Sequence, residues 1–167
     1  MSDPRPSAPI MFGIQTENTD LLPWSWAEER LNAARNFWIS STRPDGRPHS
    51  RPIWAVWLDN ALWYSTGSLA RTNLVTNDAY EVHIDDGESV VIVEGRARPV
   101  HHEPDAVQRM CEVYSTKYDY PMTPHGDEIR SSDGQGGPVF VLDPEVAFGW
   151  IGEIERPTRW RFTSPTS

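Results

Sequence analysis

Apolar positions recur with two different periods along the chain. At Trp24, Ala27, Leu31, Ala34 and Trp38 they fall three and four apart, which winds one apolar stripe down a helix over about 24–35. Ser25-Trp26-Ala27-Glu28 reads as its capping box, hydroxyl and carboxylate each satisfying an orphan N–H of the first turn. From Phe37 the period drops to two. Phe37, Ile39 and Ser41 alternate with more polar neighbours until Arg43-Pro44-Asp45-Gly46 turns the chain, Pro44 presetting a dihedral and Gly46 taking the left-handed exit. The run Arg51 to Leu58 is apolar on both faces, as for a strand covered on both sides. A small barrel covers one such face with its own core; the other needs a helix or a second copy. Asp59-Asn60 leads into a strand over 61–66, and two more strands, about 79–84 and 89–99, meet at the hairpin signal Asp85-Asp86-Gly87-Glu88.

The helical period returns once. Pro104 suits a first helical turn, and Val107, Met110, Cys111, Tyr114 and Tyr118 then line one face of a helix over about 103–118. Residues 119–137 are rich in Pro, Gly, Asp and Ser and predict a long loop. Two strands close the pattern, one near 138–151 bent around Asp143-Pro144 and one over 158–162. The first 20 residues carry Pro4, Pro6 and Pro9 without a period, which predicts a flexible arm ahead of a single domain over 21–167. Six or seven antiparallel strands with few helices predict a mainly β fold. A closed or nearly closed barrel follows, because closure removes exposed sheet edges.

Composition narrows the function classes. The 167 residues hold 15 Lys+Arg against 24 Asp+Glu, a formal net charge of −9, so long-range steering of nucleic acid is unfavourable. No apolar run approaches the roughly 20 residues of a spanning helix. With no hydrophobic leader at the start, the expectation is a cytoplasmic protein without membrane attachment. One cysteine, Cys111, excludes an internal disulfide and a Cys-rich metal centre. Adjacent His101 and His102 would face opposite ways in a strand, and His49, His83 and His125 lack an acidic partner at ligand spacing, so no metal site is expected. Eight tryptophans suit a Trp-rich core or dimer interface, or a pocket for a flat ring.

Candidate chemistry lies at Tyr64-Ser65-Thr66-Gly67-Ser68-Leu69-Ala70-Arg71. A strand ending in hydroxyls and glycine and then opening a helix offers unpaired N–H groups to an anion, and Arg71 adds a planar cation with bidentate geometry. The same residues equally describe an ordinary strand-to-helix turn capped by Ser68 with a solvated arginine. Arg43, Arg47 and Arg51 sit four apart around the first hairpin. The first two read as solubilising charges, and Arg51, which opens the doubly apolar strand, as a second candidate for an anion. No nucleophile elbow, phosphate loop or dinucleotide fingerprint is present, so hard chemistry would come from a cofactor.

Phe37-Trp38-Ile39-Ser40-Ser41-Thr42-Arg43-Pro44-Asp45-Gly46, with Pro52-Ile53-Trp54 and Ser65-Thr66-Gly67…Arg71-Thr72-Asn73-Leu74, resembles the pyridoxamine 5′-phosphate oxidase-like split β-barrel superfamily. Within it the chain is most similar to the flavin/deazaflavin oxidoreductase branch. Val90 to Ala97, Tyr114…Lys117-Tyr118 and Pro157 to Phe162 continue the agreement, which spans roughly 24–163. The resemblance implies a split barrel, a homodimer with cofactor sites at the subunit interface, and a small-molecule substrate. The cofactor it implies is the deazaflavin coenzyme F420, favoured for its acidic tail over an open rim, with FMN second. Ser50, Arg51 and Pro52 would run past the ring and its chain; Ser65, Thr66, Gly67, Arg71, Thr72 and Asn73 would meet the phosphate, with Arg71 its main cation. The turn from Gly67 to Arg71 is shorter than in such relatives and holds one cation, which lowers the implied phosphate affinity. The activity implied is hydride transfer between this cofactor and an organic acceptor, with no catalytic residue assigned; the rival is a non-catalytic module that stores a flavin or haem.

Overall fold

A computed structural model describes residues 3–15, 19–84 and 86–163. The chain opens with three short strands, β1 (Arg5–Ser7), β2 (Ile10–Met11) and β3 (Ile14–Gln15), before helix α1 (Trp24–Ala33). There follow β4 (Phe37–Thr42), β5 (Pro48–Ile53), β6 (Ala55–Leu58), β7 (Ala61–Ser65) and the five-residue helix α2 (Leu69–Asn73). Strands β8 (Ala79–Ile84) and β9 (Ser89–Pro99) lead to helix α3 (Pro104–Tyr118). The last elements are β10 (Met122–His125), β11 (Glu128–Ser131), β12 (Gly136–Ile151) and β13 (Glu155–Arg161).

All but β2 and β3 belong to one sheet whose main path runs β1-β13-β12-β9-β8-β4-β5, and every pairing in it is antiparallel. The expected mainly β barrel is therefore the observed architecture. Long β12 carries it: its first half pairs β7 and β9 on opposite edges, and its second half pairs β9 and β13. The expected bend at Asp143-Pro144 is a register shift between Pro144 and Val146. Opposite it stands Gly95, where a Cβ would lie against the Asp143 carbonyl oxygen, so only glycine fits the close approach.

Two apolar clusters explain the doubly apolar strands. Ala55, Trp57, Leu62, Tyr64, Phe140 and Leu142 point into the barrel core with Phe37, Ile39, Val82, Val93 and Trp160. Their alternates Val56, Ala61, Trp63, Val139 and Val141 point the other way, onto Val107, Met110 and Cys111 of α3. The second face that the sequence assigned to a helix or a second copy is thus covered by α3. Helix α1 caps the barrel through buried Trp24, Ala27 and Leu31. Trp24 meets Trp57, Trp160 and Phe162 with ring centres 5.0–5.9 Å apart, close to edge-on with the last two.

Four expectations need correction. The capping box does not form: α1 starts at Trp24 after Pro23, with no side-chain cap, because Pro23 already supplies the extended entry and leaves Ser25 inside the first turn. The strand expected over 51–58 breaks at Trp54, since β5 pairs β4 whereas β6 pairs β7. Residues 5–7 of the expected arm form β1 on the edge of β13, and 10–15 fold into the β2–β3 hairpin; backbone pairing, rather than apolar burial, holds them, and pairing leaves no period in the sequence. The expected loop over 119–137 contains the β10–β11 hairpin, which buries Met122 and Ile129. Its prolines sit where pairing tolerates them, and β11 leans on β12 so closely that a Cβ at Gly136 would meet the Ile129 carbonyl. The hairpin between β8 and β9 forms as expected, with Asp86 accepting from the Glu88 and Ser89 N–H groups at 2.8 and 3.2 Å; Asp85 lies outside the described residues. Among the described residues no helix is long and apolar enough to cross a membrane.

Candidate functional site

The break at Trp54 creates the site. Where the chain leaves the β4–β5 hairpin for β6, a groove of about 440 Å³ opens against the end of β7. Arg51, Ile53 and Trp54 form one side, the turn Ser65 to Ser68 the other, and Tyr114 of α3 completes it. The turn is held by its own hydroxyls: Thr66 Oγ1 donates to Ser68 Oγ at 2.8 Å and accepts from the Ser68 N–H at 3.2 Å, while Ser68 Oγ accepts from the Ala70 N–H. The Ser65 hydroxyl and the Arg51 guanidinium have no partner among the described residues, and Arg51 is exposed.

The far side of Trp54 is an aromatic wall. Its ring stacks on Tyr118 at 4.6 Å and 8°, and Tyr114 and Tyr120 stand 6.3 and 6.2 Å from it. The wall is tied to the backbone at the break. Tyr118 accepts from the Ala55 N–H at 2.9 Å and donates to the Ala55 carbonyl at 2.8 Å, and Lys117 Nζ donates to the same carbonyl at 3.2 Å. Burial pushes the Tyr114 and Tyr118 hydroxyls up to about 12, and brings the Lys117 ammonium, also enclosed by the Phe37 and Tyr118 rings, down to about 8.

The residues singled out from the sequence fall into three places. Arg51, Ser65, Thr66 and Gly67 converge on the groove. Ser50 and Pro52 lie exposed on β5, Ser50 accepting from Ser40 Oγ at 3.1 Å across the hairpin. Arg71, Thr72 and Asn73 go elsewhere. Arg71 lines a separate depression of about 360 Å³ with Leu74, Val75 and Phe140, and Thr72 is exposed. Asn73 is 1% exposed and donates to Ser41 Oγ at 2.9 Å, tying α2 to β4. With five residues, α2 is also too short to carry a strong dipole. His83, read as lacking an acidic partner, holds Glu81 Oε1 at 2.7 Å, two residues away on the same strand face.

Sequence reasoning missed the wall. Tyr114 and Tyr118 fit the apolar stripe of a helix, and nothing in a one-letter pattern distinguishes two core tyrosines from two whose rings meet a tryptophan about 60 residues away. The available signal was Trp54 itself, bulky and one residue past Pro52-Ile53.

Comparisons with known proteins bear on the fold. A structure described as an F420 reductase is 21% identical, aligned over 72% of this chain and 94% of that one, with a TM-score of 0.54. A conserved hypothetical protein of Mycobacterium tuberculosis is 19% identical over 92% and 98% of the two chains, TM-score 0.59. An FAD-binding protein of Mycobacterium smegmatis is 18% identical over 85% and 98%, TM-score 0.51. These likenesses establish the shared fold. No match was found among curated proteins. The sequence profile of the pyridoxamine 5′-phosphate oxidase family matches residues 26–150, from α1 to the end of the long strand that builds both faces of the sheet, and the chain belongs to that family.

Proposed function

We propose that this protein binds a flavin-type cofactor in the Trp54 groove and transfers a hydride between it and a small organic acceptor, with the deazaflavin F420 favoured over FMN. The observation that carries the reading is the groove's lining. An arginine without a carboxylate among the described residues and a hydroxyl-rich turn line it together with a tryptophan and a tyrosine of the aromatic wall. A phosphorylated planar cofactor calls for this same combination. Membership of the family, and the names of an F420 reductase and an FAD-binding protein among its structural neighbours, support the class of ligand.

In this reading Arg51 and the Ser65 hydroxyl hold the phosphate, and bare backbone at Gly67 leaves room for it. Tyr114 flanks the ring and keeps water from one side of it. The cofactor, when bound, supplies the hydride chemistry. No carboxylate, histidine, cysteine or lysine is among the groove's described lining residues, and the Tyr114 hydroxyl is pushed up to about 12, so solvent delivers the proton. That same lack of an acid favours, as the second reading, a module that holds its cofactor without turnover. Following the family resemblance, the working unit is a cytoplasmic homodimer with the groove at the subunit interface.

The test is a pair of matched fluorescence titrations, F420 and FMN, with the wild type, Arg51→Ala and Arg71→Ala. F420 binds more tightly than FMN, Arg51→Ala weakens both by about tenfold or more, and Arg71→Ala changes the FMN affinity little. Equal affinities for the wild type and Arg51→Ala would place the phosphate elsewhere. Tight binding without electron transfer to any test acceptor would leave the storage reading, and monomers at tens of micromolar in sedimentation would remove the interface.

A further inference from the structure

The wall beside the groove carries more positive charge than one cofactor phosphate engages. Besides Arg51, two cations approach it. The Arg35 guanidinium carbon lies 5.5 Å from the Trp54 ring centre and 6.0 Å from that of Tyr118, and Lys117 Nζ lies 5.6 Å from the Tyr118 centre. None of the three holds a carboxylate among the described residues. This is unusual in a chain of formal net charge −9, where seven other arginines are in ion pairs. The one carboxylate that touches the wall, Asp133, meets the Tyr120 hydroxyl at 3.4 Å and none of these cations among the described residues.

The three cations are not equivalent. Arg51 is the cofactor's partner in the function proposed above. Lys117, the chain's single lysine, is enclosed by two rings and already donates to Ala55. Arg35 is exposed and makes no hydrogen bond among the described residues, so its planar fork of donors is free. Asp86 shares a shallow depression with it but lies beyond ion-pair distance and accepts from two backbone N–H groups of its own hairpin. Arg35 follows α1 directly, and its guanidinium packs over the one tryptophan that lines the groove.

From this juxtaposition we infer that the acceptor is a planar organic acid, its ring against Trp54 and its carboxylate on Arg35. The inference rests on the groove being the site of the proposed reaction, and it specifies the substrate class. A guanidinium beside an aromatic face pairs a carboxylate bidentately while the ring next to it stacks, which a neutral acceptor of the same shape cannot exploit.

Calorimetric titration of the whole protein with 2-naphthoate and 2-naphthamide, which share a ring and differ in charge, tests it. The wild type prefers naphthoate by about fivefold to tenfold, and added salt narrows the gap. Arg35→Ala abolishes the preference with naphthamide binding unchanged, Arg35→Lys restores part of it, and Trp54→Ala weakens both ligands. Melting temperatures report that each variant folds. Equal wild-type affinities, a preference that survives Arg35→Ala, or no binding of either probe would each overturn the inference. Failure of the cofactor titrations with the naphthoate preference intact would instead remove the reading of the groove as a flavin site.

Discussion

Replacing Tyr118 by phenylalanine isolates what fixes the site. The ring, 5% exposed, keeps its stack on Trp54, and only the hydroxyl is lost. That hydroxyl is the partner of both polar groups of Ala55, itself 0% exposed. The two losses differ. The Ala55 carbonyl keeps Lys117 at 3.2 Å, whereas the Ala55 N–H is left unsatisfied in a place closed to water. A buried donor without an acceptor costs about 1–3 kcal/mol, so Tyr118→Phe destabilises by about 2 kcal/mol. At this chain length that lowers the melting temperature by roughly 4–8 °C. Because Ala55 adjoins Trp54, cofactor affinity falls with it. Tyr120→Phe is the control: its hydroxyl makes one long, exposed contact of 3.4 Å to Asp133 and changes stability by less than about 0.5 kcal/mol. Thermal and urea unfolding of the three proteins measure this. A Tyr118→Phe variant as stable as the Tyr120→Phe control would mean that Ala55 does not depend on the hydroxyl, and the account of how the break is held would be wrong.

Lys117→Met tests the buried amine through pH. Burial lowers its folded pKa to about 8 from 10.5, so between about pH 8 and 10 the folded chain has released a proton that the unfolded chain still binds, and wild-type stability gains a rising term that the variant lacks. Above pH 10 the tyrosines at 80, 114 and 118, raised to about 12 by burial, act in the opposite sense in both proteins; identical slopes from pH 8 to 10 would refute the assignment. Gly95→Ala places a Cβ against the Asp143 carbonyl and destabilises by about 1–3 kcal/mol, read from urea midpoints; a neutral result would mean that the bend in β12 gives way freely. Asn73→Ala removes the buried bond to Ser41 and lowers stability by about 1–3 kcal/mol; if cofactor affinity fell while stability held, Asn73 would belong to the site instead.

Local pattern determined most of the sheet. The seven strands expected from the sequence all occur, and the split of one at Trp54 together with β1, β10 and β11 accounts for the 11 strands of the sheet. Alternation is legible in a strand such as β4 because its two faces meet different surroundings, and helices α1 and α3 betrayed their buried stripes for the same reason. Sequence also placed the hydroxyl turn at 65–68 and named Arg51, since turn chemistry and a charge opening an apolar run are local facts. Tertiary structure alone decided the rest. Which partner covers the second face of β6 and β7, α3 or another molecule, depends on a helix 50 residues away in the chain. Arg71 sits two residues from Asn73 in sequence, but the direction in which a short helix aims each side chain separated both from the groove. Arg35, Trp54, Tyr114 and Tyr118 lie in three stretches of chain that no period links. They became one wall because the backbone breaks at Trp54, and a break between two ladders is made by the strands that each half pairs with.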